Sequence, residues 1–93
     1  MRTVIKGAVY KRENDLVIPR YTGEFYAVDC DNYITMEELK DRYDDNYIKQ
    51  VEDNYIEHEG VKYYYAEWYP EHVNDEWELL SDISELRLEE INI

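Results

Sequence analysis

The chain has 93 residues, with 23 acidic and 10 basic side chains and a formal net charge of −13. A chain this short is expected to be one domain, residues 1–93. A field this negative repels phosphate, which sets aside nucleic acid and anionic membranes as direct ligands. With 44% hydrophobic residues and 11 tyrosines, the composition is that of a folded chain, since disordered chains lack aromatics.

The charge is uneven: residues 1–20 carry a net of +3 and the remainder −16. In chain order, Thr3 to Tyr10 is rich in β-branched residues and predicts a strand, followed by a polar turn over Lys11 to Asp15. Leu16-Val17-Ile18, stopped by Pro19, predicts an edge strand at best. Glu24 to Val28 predicts another strand. Thr35-Met36-Glu37-Glu38 has the form of a capping box, so a helix is expected to start there. Met36, Leu39, Tyr43, Tyr47 and Val51 then recur at three- and four-residue steps, one apolar stripe of a helix running to about Val51. Asn54 to His58 and Val61 to Trp68 flank Glu59-Gly60 and predict a hairpin, with Pro70 ending its second strand. Glu76 to Leu80 and Glu85 to Glu89 are the last strand candidates. Together these predict an α+β fold, a small mainly antiparallel sheet with one principal helix on one face.

Catalytic motifs are not evident. Cys30 is the single cysteine, which fits a reducing cytoplasm, and it lies between Asp29 and Asp31, neighbours that raise a thiol pKa. His58 and His72 lack metal-ligand spacing, and the three glycines do not form a phosphate loop. Met1 to Lys6 has no apolar stretch of the signal-peptide kind. The expected protein is cytoplasmic and non-enzymatic, with no cofactor and no metal.

The tetrapeptide Asp-Asn-Tyr-Ile occurs at 31–34, 45–48 and 53–56, at unequal spacings that do not make a solenoid. Around its first copy, Asp29, Asp31, Tyr33, Ile34, Thr35 and Glu38 resemble an EF-hand calcium loop. The chain departs from that loop at Ala27, where the family opens on Asp, and at Asn32, where it turns on Gly. Helix capping explains the same Thr35 to Glu38 stretch and is the preferred reading.

The carboxylates carry the functional clue. On a helical projection Glu37, Glu38, Asp41, Asp44, Asp45 and Glu52 fall away from the apolar stripe. Glu57, Glu59, Glu67, Glu71, Asp75, Glu76 and Glu78 extend the acidity from the hairpin onward. In the run Tyr63-Tyr64-Tyr65, alternation sends at least one ring to the opposite face. Tyr64 and Trp68 are the candidate aromatic contacts among these acids, cross-strand ring pairing being the alternative use. In length, acidity and aromatic content the chain is similar to the DNA mimics of phages and mobile elements. That similarity implies an inhibitor that fills the basic nucleic-acid site of a host restriction, CRISPR, repair or other nuclease protein. The alternatives are an immunity protein or antitoxin against a basic toxin, and a structural or regulatory interaction domain. A homodimer is compatible with each.

Overall fold

The computed structural model describes residues 2–81. Their elements run β1 (Thr3–Val4), β2 (Val9–Arg12), β3 (Asp15–Pro19), β4 (Gly23–Glu24), β5 (Ala27–Thr35), α1 (Met36–Arg42), α2 (Asp45–Val51), β6 (Tyr55–His58), β7 (Val61–His72) and β8 (Glu78–Ser81). The class is the expected α+β. An antiparallel sheet has the order β6-β7-β5-β3-β2-β8, β1 and β4 form a separate ladder, and the helices pack on one face of the large sheet. The strand expected at Glu85 to Glu89 lies outside the described residues.

Turn chemistry explains much of this. Glu59 and Gly60 have φ of 51° and 80°, the two positive values that a type I′ turn requires, and the predicted hairpin forms around them. The strand expected over Thr3 to Tyr10 is instead divided. A turn at Lys6-Gly7, with Gly7 at φ 82° and Ala8 N–H donating to Ile5 O (3.1 Å), separates β1 from β2.

Two prolines act differently from expectation, for one reason. β3 is central in the sheet, not an edge, despite Pro19. Arg20 N–H donates to Asp29 on the β5 side (2.9 Å), while Pro19 O accepts from Gly7 on the opposite side (3.1 Å). The N–H that Pro19 lacks therefore faces the β2 side, where pairing stops at Tyr10↔Val17, so no ladder bond is lost. Pro70 likewise does not end β7, which continues to His72. Val73 N–H donates towards β5, to Tyr26 O (3.0 Å), so alternation turns the empty position of Pro70 outward, beyond the last β6 partner at Tyr64.

The segment that resembles a calcium loop is extended strand β5, paired along its length with β7, which removes the curved loop such a site needs. Its pairing with β7 shifts between Asn32 and Tyr33, leaving Ala66 without an opposite residue and Glu67 at φ 148°.

The helical stretch starts at Met36 as expected, with Thr35 Oγ1 accepting from Glu38 N–H (3.3 Å). It is two helices rather than one. Tyr43 is extended at φ −131° and ψ 157°, and Asp44 restarts the helix by accepting from Tyr47 N–H (3.0 Å). Asp and Asn side chains bond nearby backbone amides, so Asp44-Asp45-Asn46 favours a cap over a helix interior. The stripe survives the break: Leu39 and Val51 are buried with Ile34 and Ala66, and Met36, Tyr43, Tyr47 and Ile48 pack around them. Burial of a side chain such as Leu39 is worth about 1.5–3 kcal/mol.

The sheet curls towards the helix face. Register places Arg12 of β2 and Glu71 of β7 on that face with β3 and β5 between them, yet their side chains meet at 2.7 Å. Inside the curl, Tyr10, Val17, Val28 and Cys30 pack with Trp77, while Val9, Leu16, Ile18, Tyr33, Ile56 and Tyr63 form a cluster on the other face.

Candidate protein-interaction surface

The fold sorts the nominated carboxylates by environment. Glu37, Asp41, Asp44, Asp45 and Glu52 are exposed on the helices, Asp44 also serving as the α2 cap. Glu38 is half-buried and accepts from Arg42 (3.0 Å). Its pKa is raised, first by burial and then by the neighbouring Asp15 carboxyl, with Arg42 opposing. A groove of about 420 Å³ joins Glu37, Glu38 and Asp41 to the start of β7 at Val61 and Tyr63, to Lys11 of β2 and to Asn14 of the β2–β3 turn. Glu57 and Glu59 are exposed on the hairpin that leads into that end of β7.

Glu67 is exposed at the bulge and belongs with the helices electrostatically. Tyr43 donates to the bulge carbonyl of Ala66 (2.7 Å) and Tyr47 to that of Tyr65 (3.1 Å), their rings stacked at 4.3 Å. Burial raises both phenol pKa values, Tyr47 to about 12; Glu67 adds to the shift at each. Helices, bulge and hairpin thus form one acidic side.

Other nominated residues lie elsewhere. Asp75 and Glu76 are exposed in the β7–β8 turn, at the opposite end of the twelve-residue β7 from the hairpin turn. Glu71 is a correction: it is buried, held by Arg12, and so is not a surface contact. Burial raises its pKa, partly offset by Arg12. Tyr64 is half-buried on the helix face, its ring 5.7 Å from Tyr55, so it serves the sheet rather than an exposed anchor. Tyr63 and Tyr65 share the other face, where Tyr65 meets Tyr33 edge-on at 5.5 Å.

Trp68 is exposed, and the structure surrounds it with residues that sequence reasoning missed. On the face opposite the helices, Asp31 is paired with Trp68 and Asp29 with Pro70. Arg20 covers the Trp68 ring at 4.7 Å and donates to Asp31 Oδ1 through Nη2 (2.8 Å) and Nε (3.2 Å). Tyr65 donates its hydroxyl to the same oxygen (3.3 Å). Period-two alternation of Asp29 and Asp31 was the available signal, once β5 is extended that far.

Cys30 is buried, and burial with the nearby Glu71 carboxylate pushes its thiol up to about 12, the opposite of nucleophile activation. Among the described residues no group of three or more His, Cys, Asp or Glu could hold a metal ion, and no helix is long and apolar enough to cross a membrane. No protein family model, characterised protein or solved structure matches the chain.

Proposed function

We propose that this chain is a non-catalytic acidic inhibitor, phage- or mobile-element-encoded, that imitates DNA and occupies the basic nucleic-acid site of a host protein in the cytoplasm. The observation that carries this reading is the separation of charge by fold. Arg12, Arg20 and Arg42 are bound to Glu71, Asp31 and Glu38, acids that are themselves buried or half-buried. Glu37, Asp41, Asp44, Asp45, Glu52, Glu57, Glu59 and Glu67 stand in solvent. Among the described residues, the one basic side chain within 4 Å of these exposed acids is the His58 imidazole beside Glu59 (3.8 Å), an ion pair only when that histidine is protonated. Such a surface is complementary to a cleft built for phosphates, which it would reach rapidly under electrostatic steering.

The test is capture on the immobilised chain followed by elution with duplex DNA. Nucleic-acid-binding proteins should be retained at low ionic strength, displaced by DNA and lost steeply as salt rises. Retention of a partner that neither DNA nor salt disturbs would overturn the proposal.

A further inference from the structure

We infer that the sheet face around Trp68 is a receptor for an arginine or lysine side chain of the partner, and that it anchors the complex more strongly than the helical carboxylates; this rests on the reading that the partner is a basic protein. Trp68 is 50% exposed although Arg20 lies over its ring at 4.7 Å. The exposed part of the indole can accept a second cation in the way Arg20 already uses it. The site is also held in place before binding. Arg20 is fixed to Asp31 by two hydrogen bonds and Tyr65 by a third, so little side-chain entropy remains to be lost.

Charge selects the occupant. Asp31 is consumed by Arg20 and Tyr65, but Asp29, two residues along the same face, has no ion pair among the described residues. An exposed indole beside an unneutralised carboxylate fits a guanidinium or ammonium group. The surface continues over Pro70 to His72, where the ring of Tyr26, 72% exposed, lies 4.9 Å from the imidazole. A second copy of the chain would bring another net charge of −13 and is repelled, as is an anionic lipid surface. Strand addition along the outer edge of β7 is opposed by Pro70, whose missing N–H faces that edge, and by the bulge at Glu67. Recognition by side chains of a basic protein remains, and a partly exposed Trp is the residue type that dominates such interfaces.

Titration of the isotopically labelled protein with a deca-arginine peptide, using deca-citrulline as the neutral control, tests this by NMR. Arginine should shift the Trp68 indole N–H and the amides of Asp29, Asp31 and His72, whereas citrulline should not. W68A and D29N should each weaken binding about tenfold or more, and W68F, which keeps a ring, by less. Fluorescence of Trp77, 2% exposed in the core, reports that each variant is folded. Shifts confined to Glu37 through Glu52, or undiminished binding by W68A, would overturn the receptor and leave the inhibitor reading to the DNA-elution test. Arginine binding at Trp68 with no DNA-displaceable partner would keep the receptor and remove the inhibitor.

Discussion

At the scale of single residues, tyrosine does in this protein what phenylalanine cannot. The bulge at Ala66 breaks the β5–β7 ladder and leaves carbonyl oxygens that need donors. Tyr43 and Tyr47 supply them from the helices while their rings close the apolar cluster over Leu39. Y43F and Y47F should each cost about 1 kcal/mol in urea unfolding, the worth of one hydrogen bond to a poorly solvated acceptor. Alkaline pH reaches the same contact. Both phenols have raised pKa values when folded, so their stabilisation is complete below the ordinary tyrosine value of 10 and is lost as pH rises towards the value of about 12 at Tyr47. Unfolding should therefore steepen above pH 10 in the native chain and less so in Y47F; an identical alkaline profile for the two would remove the argument.

Elements show why local reading succeeds at some places and fails at others. The tetrapeptide Asp-Asn-Tyr-Ile lies in β5 at its first copy, opens α2 at its second and leads into β6 at its third. In β5, Asn32, Tyr33 and Ile34 are buried on alternating faces; in α2, Asp45 and Asn46 sit in solvent while Tyr47 packs on the bulge. Four residues thus do not determine their own conformation, and the partner strands decide. The helix cap at Thr35, the positive-φ turn at Glu59-Gly60 and the apolar stripe were legible because each is set within a few residues. The centrality of β3 and the length of β7 were not, because the cost of a proline depends on which side of the sheet its missing N–H faces. For the candidate surface, the helical acids were legible from period 3.6, whereas the burial of Glu71 required the curl that brings it to Arg12. The break at Asp44 has a testable cost. Removing its cap in D44A should destabilise the fold by about 1 kcal/mol, with D44N, whose amide oxygen can still accept from Tyr47 N–H, recovering most of the loss, as measured by urea unfolding followed by circular dichroism. No change in D44A would mean that packing of the stripe alone holds α2.

For the whole molecule, a net charge of −13 on 93 residues acts on stability as well as on partners. Repulsion among the exposed carboxylates favours expansion and is weakened by salt. Glu38 and Glu71 add a local contribution of the same sign. Burial raises the pKa of each in the folded state, so each binds its proton more tightly when folded. Their contribution is full below the ordinary carboxylate value and is lost as pH rises through the raised one. Both effects predict a protein more stable in mild acid than at neutral pH, the reverse of a domain whose acids are held by surface ion pairs. Urea midpoints should rise as pH falls from about 8 to about 5 at low ionic strength. Raising salt to about 0.5 M should lift the midpoint at the higher pH and narrow the difference, because the Debye length there is shorter than the spacing of most surface charges. The buried part should persist, so E71Q, which neutralises Glu71 without changing its size, should flatten the remaining slope. A midpoint that is higher at the alkaline end, or a slope in high salt that E71Q leaves unaltered, would place the charge outside the energetics of the fold and reserve it for the partner.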